Sequence, residues 1–236
     1  MISREILVNG ADAFNLALSE EEIAKINTYS RYLVDYNEKV NLTAITEPDE
    51  IAIRHFVDSM AVSSLVKIPT GSAMIDVGSG AGFPGVPLKM IRPDLQLTLL
   101  DSLKKRLDFL SELSDKIDIS YQLVHMRAET AGIDPAFRAR FDIATARAVA
   151  QLSVLSEYCL PLLKIGGMML ALKGPDCQDE IQRAKGAITL LGGKLEQTID
   201  YRLPDQSGRT MIVIRKTAKT PAKYPRQRVK LNEKPL

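Results

Sequence analysis

The sequence predicts an α/β protein with a mostly parallel, seven-stranded sheet and a helical extension in front of it. From Ala73 onward, short apolar runs alternate with helix-length segments, as in successive β-α-β units. The first of these runs ends in GSGAGFPG, at the strand-to-helix turn where an open parallel sheet binds its ligand. Before Ala73, apolar residues recur only at helical spacing.

Each element follows from local signals. Ser19 and Glu22 form a capping box, and Ile23, Ile26, Tyr29, Leu33, Tyr36 and Val40 then share one helical face. Pro48 suits the first turn of a second helix, whose apolar positions Ile53, Phe56, Val57, Met60 and Leu65 run to the break IPTGS. Strands are expected over residues 73–77, 96–100, 120–124, 141–145 and 168–172. Helices are expected between them over 84–92, 102–114 and 152–163, with an irregular stretch near 129–136. A helix at 178–191, stopped by Gly192 and Gly193, leads to strands 194–201 and 210–216, close enough in sequence to pair antiparallel. The expected division is a helical extension over 1–72 packed on the body, a body over 73–216, and a basic tail over 217–236.

Composition limits the function classes. The chain has 236 residues, 45% of them apolar, enough to fill a sizeable core. No run approaches the ~18 apolar residues of a membrane span, and the first residues lack the basic head and apolar centre of a signal peptide. The expectation is a cytoplasmic protein with no membrane partner. Cys159 and Cys177 have neither metal-ligand nor disulfide spacing, so no metal is expected. Net charge is only +2, but from Arg215 onward eight basic residues face one acid, Glu233, a field that attracts polyanions.

Gly78, Gly80, Gly82 and Gly85 crowd the turn after the first strand, giving positive φ and room for a ligand against bare main chain. Gly80 to Gly85 reads G-x-G-x-x-G, which leaves a nicotinamide dinucleotide and an oxidoreductase open. Counted from the strand end, however, the third fingerprint position is the bulky Phe83. Asp76 before the glycines would repel a pyrophosphate and attract the sulfonium and ammonium groups of S-adenosylmethionine. Asp101, at the end of the second strand, suits the ribose hydroxyls of either cofactor and can also cap the next helix. Ala128 and Glu129 follow the third strand, beside an adenine, and Arg147 after the fourth is aimed at the mouth of the pocket.

The chain contains no P-loop and no G-x-S-x-G elbow, and its histidines are His55 and His125 alone. No cysteine follows a parallel strand for attack on a pyrimidine. Ala144-Thr-Ala-Arg stands where enzymes that methylate exocyclic amines carry a Pro-Pro-aromatic clamp. These features favour an acceptor that is already nucleophilic.

Several segments in order, NLTAITEPDEIAIRHFVDS, DVGSGAGFPGVPLK, LLDSLKKRLDFL, RAE, FDIATARAVA, LLKIGGMMLALKG and KYPR, resemble the glucose-inhibited division protein B family, also called ribosomal RNA small subunit methyltransferase G. The resemblance implies a Rossmann-like class I methyltransferase fold. It also implies methyl transfer from S-adenosylmethionine to N(7) of a guanine in the 530 loop of 16S rRNA. By motif it assigns Gly78, Phe83, Ala128, Glu129 and Arg147 to the cofactor; Gly80 and Asp101 join them from the loop and from the fold class. It names no general base, because guanine N(7) has a lone pair, and Arg147 is expected also to orient the base. Lys223, Arg226 and Arg228, with Tyr224 to stack, are expected to hold RNA, and Lys104, Lys105 and Arg106 to form a second patch. The partner is then 16S rRNA or the small subunit, bound by a monomer. Removing the residues after Ala218 is expected to spare the cofactor. A non-catalytic RNA-binding protein with a relic loop is the third reading.

Overall fold

The computed structural model describes residues 1–147, 150–226 and 236. Its seven strands are β1 (Ala73–Val77), β2 (Gln96–Asp101), β3 (Gln122–His125), β4 (Phe141–Arg147), β5 (Leu163–Lys173), β6 (Gly193–Arg202) and β7 (Gly208–Lys216). They lie in one sheet in the order β3-β2-β1-β4-β5-β7-β6. β7 runs antiparallel between β5 and β6, and the pairings among β1 to β5 are parallel. The order reverses between β1 and β4, so their carboxyl ends open the crevice in which such sheets bind ligands.

Helices cover both faces. One core joins the sheet to α5 (Gly85–Ile91), α6 (Lys104–Ile117) and the N-terminal helices, through Leu33, Phe56, Met60, Leu88, Phe109 and Met211. The other joins it to α7 (Ala128–Ala131), α8 (Leu152–Cys159) and α9 (Gln178–Leu190), through Leu155, Ala184, Ile188 and Ile212. The helices before Ala73 therefore share a continuous apolar core with the sheet, and burial of their stripe holds them there.

Two departures from the expected elements bear on the site. α1 (Arg4–Asp12), capped by the Ser3 hydroxyl, precedes the expected first helix; Asn9 and Gly10 weaken its local signal, and Gly10 is needed where a Cβ would lie 2.8 Å from Val57. α2 (Glu20–Asn37) starts with the expected capping box, Glu22 N–H on the Ser19 hydroxyl and the Glu22 carboxylate on Ser19 N–H. The single helix expected after Pro48 is instead α3 (Pro48–Ile51), a π-helical segment Ala52–Val57, and α4 (Asp58–Leu65). Asp58 N–H reaches back five residues to Ile53 O. Such wide turns collect at functional sites, and Arg54, His55 and Asp58 around this one face the crevice.

Candidate active site

The loop after β1 is held from beneath. Gly78 N–H and Ser79 N–H donate to Leu100 O at 2.8 and 3.1 Å, Gly80 N–H donates to Asp101 Oδ2 at 2.9 Å, and Gly82 N–H donates to Ser79 O at 2.7 Å. The four glycines divide into two pairs. Gly78 and Gly80 take φ of +71° and +56° and line the cavity, and a Cβ on Gly80 would meet only the Gly78 carbonyl, at 3.9 Å. Gly82 and Gly85 face protein: a Cβ on Gly82 would lie 2.7 Å from the Tyr29 hydroxyl, and one on Gly85 2.9 Å from Asp76 Oδ2. Tyr29 donates to Ala81 O and stacks on Phe83 at 5.1 Å, so α2 clamps the loop's far side.

Asp76 does not face a cofactor, which corrects the expectation drawn from its charge. It is 1% exposed; Oδ2 accepts from Gly85 N–H at 3.0 Å and Oδ1 from the Thr145 hydroxyl at 2.9 Å. Burial pushes its pKa up to about 6 against the opposing pull of these two hydrogen bonds. Asp76 still counts against a dinucleotide, but by another route: it occupies the first amide of α5, a donor that a pyrophosphate would use. The Gly78, Ser79, Gly80 and Gly82 amides are likewise bonded within the protein, which leaves a pyrophosphate fewer donors.

Beyond the loop lies a cavity of about 820 Å³. Gly78, Gly80, Phe83, Asp101, Ala128, Glu129 and Arg147, the cofactor residues expected from the sequence, all line it. Asp101 Oδ1 accepts from Leu103 N–H at 2.9 Å, while Oδ2 takes Gly80 N–H and, at 3.4 Å, Arg106 Nη1. It thus fastens both the loop and the start of α6. A carboxylate offers about four lone-pair positions, so acceptor capacity remains for a ribose. Ala128 and Glu129 form the first turn of α7. Bare backbone at Gly80, the Asp101 carboxylate and a loop most of whose glycine amides are bonded within the protein fit S-adenosylmethionine.

The opposite wall comes from the extension. Leu42, Thr43, Ile45, Arg54, His55 and Asp58 line it, in the segment that the sequence supplied as a family motif but without roles. Arg147 crosses to this wall: Nη1 donates to Arg54 O at 3.1 Å and meets Asp58 Oδ2 at 3.3 Å, while Nη2 lies 3.3 Å from His55 Nδ1. Its guanidinium sits over the Phe83 ring at 5.1 Å. Asp58, 3% exposed, also accepts from the Tyr201 hydroxyl at 2.8 Å and lies 3.6 Å from Arg209 Nε. His55 stacks on Phe83 at 4.6 Å; burial, followed by the charge of Arg147, pushes its pKa down to about 3.

The tail residues have other uses than those expected. Arg226 pairs with Glu157, a fully buried carboxylate on α8, through Nε and Nη2 and through its own N–H at 2.6 Å. That burial demands a countercharge, so its guanidinium is engaged inward. Tyr224 is 7% exposed and belongs to the apolar core, which removes it as a stacking platform. Arg138 ties this segment down through Thr220 O and Tyr224 O at 2.8 Å each, and also holds Gly132 O at the end of α7. The segment after Ala218 is thus tied through Arg138 to the end of the helix that carries Ala128 and Glu129. Lys223 is exposed, and Arg228 lies outside the described residues. Lys104 pairs with Asp108, Arg106 turns into the cavity beside Asp101, and Lys105 is exposed.

Among the described residues no His, Cys, Asp and Glu cluster could hold a metal, and no helix is long and apolar enough to cross a membrane. Fold and cavity together define an S-adenosylmethionine-dependent, class I methyltransferase. Among solved structures, TrmN from Thermus thermophilus matches with a TM-score of 0.52 at 19% identity, covering 68% of this chain and 48% of that one. A SAM-dependent O-methyltransferase from Thermotoga maritima matches with a TM-score of 0.52 at 14% identity, covering 79% and 72%. A family model described as rRNA small subunit methyltransferase G matches residues 22–207. Curated relatives of that name are 45% identical in Acetivibrio thermocellus, over 99% of this chain and 96% of the relative, and 48% identical in Lactobacillus delbrueckii subsp. bulgaricus, over 98% and 99%. The chain belongs to the rRNA small subunit methyltransferase G family.

Proposed function

We propose that this chain transfers a methyl group from S-adenosylmethionine to N(7) of a guanine in the 530 loop of 16S rRNA, acting as a monomer in the cytoplasm. The observation that supports this reading is the meeting of two unlike walls in one cavity, Gly78, Gly80, Asp101, Ala128 and Glu129 on the sheet side and the extension on the other, with Arg147 reaching from the sheet to the extension. The ionisable groups beside Arg147 are engaged: His55 and Asp58 bond to it, and Asp58 also takes Tyr201. A chemistry that needs no proton removed from the acceptor suits such a site, and guanine N(7) presents an in-plane lone pair.

When bound, S-adenosylmethionine supplies a methyl group on an electron-poor sulfur. The chain's part is placement. Gly78 and Gly80 would admit the methionine end against bare backbone, Asp101 would accept from the ribose, and Ala128 and Glu129 would flank the adenine. Phe83 and the wall from the extension close the far side. Arg147 donates to guanine O6 or to a neighbouring phosphate, aligning the base with the methyl carbon. Alignment of this kind accounts for roughly 7–11 kcal/mol of barrier lowering in well-oriented systems. The base must come from a loop, since the A-form major groove is too deep and narrow to expose N(7). Lys223 and Lys105 support RNA binding as exposed cations.

Labelled methyl transfer to small-subunit rRNA, followed by mass mapping of the product, tests the reading; a single N(7)-methylguanine is expected. Binding of a nicotinamide dinucleotide instead of S-adenosylmethionine in calorimetry would sink it. Arg147→Ala should lower the rate about a hundredfold with cofactor and RNA affinity kept, and an unchanged rate would remove Arg147 from the mechanism.

A further inference from the structure

Arg147 leaves the end of a sheet strand, yet the groups that fix its guanidinium belong to the extension. Arg54 O and Asp58 Oδ2 both bind Nη1, at 3.1 and 3.3 Å. Both of these contacts fall on one nitrogen of the fork. His55 Nδ1, 3.3 Å from Nη2, supplies the anchor on the other nitrogen, and Phe83 lies under the guanidinium.

The chemistry of the contact fixes the state of the imidazole. His55 Nδ1 is 3.3 Å from both Arg147 Nη2 and Arg54 O. A guanidinium only donates, so the Arg147 contact is a hydrogen bond when Nδ1 accepts and the ring proton sits on Nε2, and the Arg54 O contact is then not one. Nε2 is 2.8 Å from the Thr43 hydroxyl oxygen, which also accepts from Ile45 N–H at 3.0 Å, so its second partner holds that oxygen in place. Stacking of the ring on Phe83 at an interplanar angle of 25° fixes its plane. A protonated ring would turn an N–H against the guanidinium, and burial together with Arg147 keeps it neutral.

We infer that His55 is a positioning residue for methyl transfer: as a neutral acceptor held by Thr43, it sets the tilt of Arg147 and so decides which guanidinium N–H groups are presented to the acceptor guanine. The inference rests on the function proposed above. It gives the π-helical segment a role, since that segment carries both His55 and the Arg54 carbonyl.

The test uses the full chain with S-adenosylmethionine and small-subunit rRNA. His55→Phe keeps a ring against Phe83 and removes the acceptor; His55→Asn places an amide oxygen near the position of Nδ1. His55→Phe should lower kcat about a hundredfold, the scale of a 1 Å misplacement, with KM for RNA and Kd for S-adenosylmethionine within about threefold. His55→Asn should recover most of that loss. In the Arg147→Ala background His55→Phe should have no further effect, because the group it orients is gone. If His55→Phe does not bind cofactor, His55→Gln takes its place, with a donor toward Thr43, no acceptor at Nδ1 and the same expected loss. Losses that multiply in the double variant, or equal rates for the Asn and Phe variants, overturn the inference. A wild-type chain that methylates no guanine N(7) removes the proposed function, and this inference with it.

Discussion

On the sheet side of the cavity Gly78, Gly80 and Asp101 present main chain and a carboxylate locked by hydrogen bonds between the β1 loop and β2. On the extension side the surface is mostly side chains, Thr43, His55 and Asp58, locked by hydrogen bonds and ion pairs to one another and to Arg147, Tyr201 and Arg209, with Arg54 held by Glu50 and Asp205. A cofactor with a fixed shape can be met by backbone that the fold itself places. An RNA base arrives on a flexible loop, so the wall that meets it needs donors whose direction is set by other side chains.

The largest effect that would break this contrast is at Asp58. Asp58→Ala leaves Arg147 and Arg209 without the carboxylate they share and should cost about 3–5 kcal/mol, read by denaturant unfolding, with methyl transfer lost and cofactor affinity retained in the folded fraction. A variant as stable and active as wild type would mean that the extension wall is not held by that charge.

Next comes a contrast within the sheet wall itself. Gly82→Val forces side-chain atoms into Tyr29, Leu110 and Val86 at a φ of +95° and should destabilise by about 3 kcal/mol. Gly80→Ala has open space and a φ of +56°, so about 1 kcal/mol of strain is expected, with the main loss in S-adenosylmethionine affinity. Equal melting temperatures for the two would deny the division of labour among the glycines.

Asp76 sharpens the contrast through pH. Its folded pKa, about 6, lies above the ordinary carboxylate value, so between about pH 4 and 6 the folded chain holds more protons at this group than the unfolded chain. Its contribution to stability is therefore full at low pH and is lost as pH rises through 6. Asp76→Asn, which keeps an acceptor for Gly85 and a partner for Thr145, should gain about 2–3 kcal/mol relative to wild type from pH 4 to pH 7. His55, with its depressed pKa, works in the opposite direction, favouring the fold as pH rises through the histidine range. The smallest effect is on the outer surface, where Lys104→Ala removes an exposed pair with Asp108 and should change stability by at most about 0.5 kcal/mol.

Legibility in the sequence followed the same division. β1 lies at its expected bounds because it is a buried apolar run ended by glycine; β3, an edge strand with exposed Gln122 and His125, starts two residues and ends one residue later than expected. The π-helical segment was invisible, because Ile53, Phe56, Val57 and Met60 fit an ordinary helix equally well. The glycine loop and Asp101 could be read because strand ends place them. The partners of Asp76 and Arg226, Thr145 and Glu157, could not be read because each lies 69 residues away and leaves no local trace. His55 has no local signal for its role beyond its place in the RHFVDS segment.

The position of β7 bears on how the chain is made. β6 pairs with β7 and with no other strand in the sheet, and β7 is made after it. As the nascent protein emerges, β6 has no neighbour until the following strand arrives, and the free edge of β5 stays open for the same interval. Translation stopped before Gly208 would release a polypeptide with one orphan strand and one unguarded edge, a target for chaperones and proteases.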